Sequence, residues 1–530
     1  MNEDIFLGRD THLEILSKRI RDLNQGYRQN IAIIGDELVG KTSIISRLLD
    51  KLYDNRIIMI YLEIRPESLS VFAKRFIAAL LYNFLSNNTE ALKEDLNFLI
   101  AKSEKYIPET IHKINTMLQA LNKRKQNDLF PALLSLCESI KEETSKSCVV
   151  IFDEFHNLES VGIKNLYKEW SKLLISQKNT MYIVISSFKF KAKAILAKNL
   201  SLLFGNFEVL IVEPFDVATS EEYLERKLLK LPNSAGYKNF LIHFTGGYPF
   251  YLKVISEALL KNNPANLVDT LESLLFDTSG ILNQRFSNYI KLFLDSNFSQ
   301  EYISLLYMIS NGHNKIKDIA HLTHRTNKEL NLRTNHLLEI DTITRSGDFL
   351  KINDRVFSFW LKFVYQEKIN ALTFDDQNQK KLFRENLNKE IKEFLITAEK
   401  PIVERMTELF RLFEDDFMHI EKKRVRLNRF REIKPLEFNN RCIKNGLIGR
   451  SSESLWIVGF KPEPLTEEDI AEFAKECKKY RHKMQRKILV TFKGVDTNAR
   501  LRALDEKIST WDIHSINQIF DLFSKPNVIA

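Results

Sequence analysis

Gly35-Asp36-Glu37-Leu38-Val39-Gly40-Lys41-Thr42 is the stretch that decides the fold. It fits G-x-x-x-x-G-K-[ST], in which glycines let successive backbone N–H groups close around phosphate oxygens. Gly occupies only 16 of 530 positions, so correctly spaced glycines carry weight. Immediately before the loop, NIAIIG (30–35) is a short, β-branched apolar run ending in Gly. Immediately after it, ISRLLDKLY (45–53) returns to helical spacing. Strand, loop and helix therefore bracket the motif. In that setting Lys41 reaches the β- and γ-phosphates, Thr42 offers a hydroxyl to Mg²⁺, and Asp36, Glu37, Leu38, Val39 and Ser43 complete the cradle. Asp36 and Glu37 place two carboxylates beside a polyanion, which costs affinity unless both point to solvent. They are expected to do so.

Working outward, further strands are expected at IIMIYLEI (57–64), CVVIFDE (148–154) and MYIVISS (181–187), with helical segments between them. Strands alternating with helices imply a mostly parallel sheet covered on both faces. The third of these ends in Asp153-Glu154, at the carboxyl edge where open α/β sheets bind ligands. Asp153 is positioned to hold Mg²⁺ through water, and Glu154 to orient and deprotonate an attacking water. A hydroxyl at Ser186-Ser187 reads equally well as a γ-phosphate sensor or as a satisfied strand end. His156 reads as a helix cap or surface histidine. No N-K-x-D guanine motif follows, so ATP is the expected nucleotide.

From Ser220 the spacing turns helical, and GGYPFYLKVISEALL (246–260) starts after a Gly-Gly break. The order at 301–364 is helix (EYISLLYMIS), short helix (IKDIAHLT), helix (NKELNLRTNHLLEI), then a β-wing around Arg345-Ser346-Gly347-Asp348; this is the order of a winged helix. LWIVGF (455–460) and KILVTF (487–492) are strands flanking the acid-capped helix TEEDIAEFAKECKKY (466–480). The expected division is an ATPase core over 1–215, a helical lid over 216–295, a winged helix over 296–365, a helical connector over 366–425 and a C-terminal α/β domain over 426–530.

With 44% hydrophobic and 28% charged residues, the composition is that of globular matter, and 530 residues exceed what one core accommodates. No apolar run reaches the ~18 residues of a membrane span, and the first residues, MNEDIFLGRD, lack the cationic and apolar regions of a signal peptide. A cytoplasmic location is expected. Cys137, Cys148, Cys442 and Cys477 are scattered without the spacing of a zinc site or disulfide framework. The net charge of +9 is concentrated: residues 421–450 hold ten Lys/Arg against three acids, and 475–493 hold eight against one. A polyanion-binding surface, if present, is expected toward the C-terminus.

Several residues together resemble the STAND-type ATPases, signalling P-loop ATPases related to the AAA+ group. Phe6-Leu7-Gly8-Arg9-Asp10 looks like their hhGR-acid motif, which implies that Arg9 lies near the nucleotide. Gly247-Tyr248-Pro249 is similar to their GxP signature, implying that Pro249 lies in the lid and contacts the adenine region. Phe357-Ser358-Phe359-Trp360 resembles the aromatic helix closing their winged helix, and core packing accounts for the same residues. The stretch Leu455–Lys525 resembles the restriction-endonuclease-like domain appended to archaeal members. There an acid stands two places before the strand-end lysine, whereas here Gly459 precedes Lys461, and Glu453 is the nearest stray acid. The resemblance implies a nuclease fold without catalysis, with Lys461, Lys478, Lys479, Arg481 and Lys483 as candidate phosphate contacts.

Two main functions follow. One is a slow, Mg-dependent ATPase acting as a molecular switch, in which ATP closes the lid and the winged-helix and C-terminal domains report the state. The other is an ATP-regulated protein binding double-stranded DNA, related in plan to archaeal replication initiators, with Lys328 and Arg333 on the recognition helix (about 327–340). A scaffold that binds nucleotide without turnover is a third. The partners implied are ATP with Mg²⁺, duplex DNA or a protein effector, and a second copy in a nucleotide-dependent assembly.

Overall fold

The structure, a computed structural model, describes residues 6–52, 54–86, 94–122, 129–201, 206–229, 234–261, 266–294, 299–370, 375–420, 423–439, 442–480 and 485–529. The chain divides into two compact units, Met1–Pro214 with Glu339–Asp341, and Phe215–Leu338 with Thr342–Ala530.

The first unit is built on a parallel sheet of β1 (Asn30–Ile34), β2 (Ile57–Glu63), β3 (Ser147–Asp153), β4 (Thr180–Ser186) and β5 (Phe207–Ile211), in the order β2-β3-β4-β1-β5. It is the α/β fold of a P-loop nucleotide-binding domain. β1, β3 and β4 are buried along their whole length, which is why each reads as a continuous apolar run. β5 was not among the expected strands. Its FEVLI is an edge with Val209 and Ile211 partly exposed, so it lacks the signature of a buried strand.

Beneath the sheet, Trp170 of helix Leu166–Ser176 is fully buried and meets Phe130, Phe152, Tyr182 and Phe207 at 5.7–6.2 Å between ring centroids. Helix Leu69–Ser86 is long and apolar enough to cross a membrane by length and composition, yet Phe72, Phe76, Leu80 and Phe84 are packed into this core.

The second unit begins with helices Val217–Leu228, Ser234–Thr245, Pro249–Lys261, Leu267–Leu275 and Ile281–Leu294. The first is capped by Asp216, whose carboxylate accepts from Thr219 N; the start therefore lies upstream of the expected Ser220, which is buried inside the helix. Three helices follow, Ser299–Ser310, Ile316–Thr323 and Asn327–Glu339, then a ribbon of β6 (Ile343–Ser346) and β7 (Phe349–Ile352). Phe357 and Trp360 are core residues.

After helices Asp376–Glu399 and Ile402–Phe410 comes a hairpin, β8 (Asp416–Ile420) and β9 (Lys423–Leu427), where a helical connector was expected. Met418, Ile420, Val425 and Leu427 alternate into the core, and the exposed arginines between them mask that period in the sequence. The last sheet runs β10 (Glu432–Glu437), β11 (Asn445–Arg450), β12 (Leu455–Lys461), β13 (Gln485–Thr491) and β14 (Ile508–Trp511). It is an antiparallel meander through β12 and parallel from β12 to β14, with helices Glu467–Cys477 and Thr497–Asp505 as crossovers.

Truncating Trp170 to Ala removes the largest side chain under the sheet and should cost roughly 3–5 kcal/mol, with Phe recovering part of it. Denaturant unfolding of the two variants checks this. A loss below about 1 kcal/mol for the Ala variant would mean that the aromatic cluster does not carry the sheet.

Candidate functional site

The site lies at the carboxyl end of β1 and β3. β4 stands between these strands, pairing Ile34 with Ser186 on one side and Phe152 with Val184 on the other. After β1 the chain must turn sharply: Leu38 has φ +69° and Gly40 φ +91°. Gly35 admits no side chain, because a Cβ there would sit 2.2 Å from the carbonyl oxygen of Val212.

Helix Lys41–Lys51 starts directly on the loop, aiming its amino end at the cradle. The Lys41 ammonium is buried and donates to the carbonyl oxygens of Gly35 (3.1 Å) and Asp36 (2.6 Å). Burial pulls its pKa below the usual lysine value, while Glu154, Asp153 and Asp36 work in the opposite direction. Thr42 and Ser43 are exposed at the mouth.

The Thr42 hydroxyl lies 3.4 Å from Asp153 Oδ2, and the Tyr61 hydroxyl donates to the same oxygen at 2.7 Å. The Thr42 hydroxyl and the Asp153 carboxylate are hard oxygen donors of the kind Mg²⁺ takes, and they would hold that ion here, Asp153 through water. Tyr61 was not singled out in the sequence, where it reads as one more apolar residue of β2.

Glu154 follows Asp153 in the left-handed region (φ +52°), which turns its carboxylate back toward the sheet. Ser187 N donates to Oε2 at 2.9 Å, and the Ser187 hydroxyl donates to Oε1. Burial raises the Glu154 pKa, and the two Ser187 hydrogen bonds and Lys41 oppose that rise. Ser187 thus serves the glutamate. Ser186 is buried, its Oγ 2.9 Å from His156 Nδ1. His156 is not a surface residue: it is 3% exposed, stands edge-on to Phe188 and reaches 3.3 Å from Glu154 Oε2. Desolvation pulls it down to about 4, so it is neutral near pH 7.

The expectation for the two loop acids holds for Glu37, which is exposed. Asp36 instead pairs with Lys189 at 2.7 Å, and this partner offsets its charge where solvent was expected to. Arg9 is buried and donates to the carbonyls of Val39 (3.0 Å) and Glu213 (2.6 Å), bracing the loop from outside. Pro249 is the first residue of Pro249–Lys261 in the second unit.

The candidate polyanion contacts fare unevenly. Arg333 and Arg325 both pair with Glu301, at 2.6 and 2.9 Å, so the helix Asn327–Glu339 presents Lys328 as its exposed base. Lys461 is committed to Asp469, whose carboxylate is 1% exposed and 2.6 Å away. Asp469 also completes the capping box of its helix, whose cap is Thr466 where the sequence suggested an acid. Lys479 pairs with Glu476, and Lys478 is exposed. Arg481 and Lys483 lie outside the described residues. An acid at Gly459 would crowd the strand, since a Cβ there would lie 2.9–3.1 Å from the side chains of Leu489, Phe473 and Ile443. Glu453 is held by Arg426 at 2.8 Å. Among the described residues no cluster of three His, Cys, Asp or Glu is placed to hold a metal ion.

Residues 5–167 match the family model of the AAA ATPase domain. Among solved structures, the chain is similar to the Walker-type ATPase PABY2304 of Pyrococcus abyssi, at 20% identity over 68% of this chain and 97% of that one, TM-score 0.47. It is also similar to the Aeropyrum pernix ORC2 protein in its ADPNP-ADP complexes (9% identity, 75% and 98% covered, TM-score 0.41). A third is the Aeropyrum pernix ORC1 protein in complex with DNA (12% identity, 68% and 93% covered, TM-score 0.34). No curated protein matches the chain.

The His156 environment has a pH consequence. Its folded pKa of about 4 lies below the ordinary 6.5, so the unfolded chain binds the proton more readily. The contribution is intact above about pH 6.5 and is lost as pH falls toward 4. Replacing His156 with Gln should flatten the fall in unfolding free energy over that window. Equal slopes in the two proteins would show that His156 is not desolvated.

Proposed function

We propose that the chain is an ATP-binding and ATP-hydrolysing molecular switch of STAND type. The observation that carries this reading is the convergence of Lys41, Thr42, Asp153 and Glu154 at one sheet edge. The loop amides and Lys41 hold the β- and γ-phosphates, and Thr42 with Asp153 hold Mg²⁺. Mg²⁺ held there would supply neutralisation of the phosphate charge. Glu154 accepts the proton of the attacking water and is held in place by Ser187. A carboxylate whose pKa is raised by burial is a better base than an exposed one. Arg9 fixes the loop, and Pro249 opens the lid helix that senses the adenine. The three helices and ribbon at 299–352 act as the winged helix, and the mixed sheet at 432–511 as an endonuclease-like domain without catalysis.

A recognition-helix mode of DNA binding is weaker in this reading, because Glu301 neutralises Arg325 and Arg333.

Lys41→Ala should abolish ATP binding. Glu154→Gln should keep binding and lower turnover by about 10²–10⁴-fold, the usual range for a general base. Equilibrium binding and single-turnover hydrolysis separate the two effects, and wild-type turnover in Glu154→Gln would remove the glutamate from this role.

A further inference from the structure

The ribbon β6–β7 and the hairpin β8–β9 are joined by a specific set of hydrogen bonds. Asp348 N donates to the Phe417 carbonyl (2.9 Å), and Phe417 N donates back to Asp348 Oδ2 (2.8 Å). Gly347 N donates to His419 Nδ1 at 3.1 Å, and His419 N to the Ser346 hydroxyl at 3.0 Å. Gly347 has φ +62°, and a Cβ there would lie 2.1 Å from the Phe417 carbonyl oxygen, so this contact requires glycine. Beneath it, Lys315 reaches Asp416 at 2.7 Å and Glu414 at 2.9 Å. The hairpin thus extends the ribbon.

The ribbon, the hairpin and the segment that follows it each carry exposed arginines. Arg345 of the ribbon is exposed and bonds the Gly347 carbonyl and the Asn331 side chain. Arg424, paired across the hairpin with His419, lies over the Phe417 ring at 4.0 Å. Phe430 is packed against Phe410 and Trp456, which turns Arg429 and Arg431, its neighbours on either side, away from the core; both are exposed. Among the described residues none of these four arginines makes an ion pair, whereas Arg426 between them is neutralised by Asp415 and Glu453.

From this we infer that Arg345, Arg424, Arg429 and Arg431 form a ridge that binds the phosphate backbone of double-stranded DNA. Four guanidinium groups without an ion pair among the described residues, on the ribbon, on the hairpin bonded to it and on the segment that follows, suit a polyanion. On the hairpin and the segment that follows it, residues 413–439, no large hydrophobic side chain among the described residues is exposed, so this part of the surface lacks the apolar anchors of a membrane-inserting face. The helix Asn327–Glu339 adjoins the ridge through Asn331 and exposes Lys328 and Asn335.

The test is binding of the full chain to a fluorescent duplex of arbitrary sequence, titrated across salt concentrations. It needs no nucleotide, so failure of the ATPase reading would leave it standing. Each phosphate contact adds about 0.9 to the slope of log K against log salt, so Arg424→Gln/Arg429→Gln/Arg431→Gln should reduce the slope by about 2.7. All three side chains are exposed, and an unchanged thermal midpoint confirms folding. Lys381→Gln, on the exposed face of helix Asp376–Glu399 and assigned to no site, should leave the slope unchanged. The inference is overturned by no binding at low salt, by an unaltered slope in the triple variant, or by tighter binding to anionic vesicles, an acidic protein or RNA than to duplex DNA.

Discussion

Parallel pairing of β4 with both β1 and β3 is the constraint on which the first unit rests. It brings the glycine loop and the Asp153-Glu154 turn, more than a hundred residues apart in the chain, to one edge of the sheet. Parallel strands require crossover connections, and these supply the helices that bury both faces. Among the described residues the long connection from β2 to β3 holds four of them, Leu69–Ser86, Leu96–Ser103, Pro108–Asn122 and Leu129–Thr144. Their apolar faces make up much of the core that holds β3 in register.

On that frame the site is arranged as compensated charge. A buried lysine and a buried carboxylate pair are each expensive alone. Here Lys41 lies within the field of Asp153, Glu154 and Asp36, and Lys189 offsets the extra negative charge that Asp36 brings to the loop. Tyr61 and Ser187 fix one carboxylate each. The acidity of this phosphate loop, which from the sequence looked like a liability, is therefore divided: Asp36 is paired with Lys189 and Glu37 is exposed.

What was legible in the sequence follows from how each residue is buried. β1, β3 and β4 announced themselves because burial on both faces demands unbroken apolar runs. β5 and the hairpin β8–β9 are half-exposed, and their alternation is too short or too charged to stand out. The phosphate loop and the acidic pair were legible because their chemistry is local. Tyr61, Lys189 and the buried position of His156 were not, since each depends on which strands become neighbours. Lys461 and Arg333 looked available as isolated basic residues. Asp469 and Glu301, eight and thirty-two positions away, decide otherwise.

The central claim is that Thr42 and Asp153 share a cation when nucleotide is bound. The most direct measurement is the affinity of a fluorescent ATP analogue, with and without Mg²⁺, in the wild type and in Asp153→Asn. The account predicts that Mg²⁺ tightens binding in the wild type and has little effect in the variant. An affinity indifferent to Mg²⁺ in the wild type, or an equal Mg²⁺ response in both proteins, would contradict it.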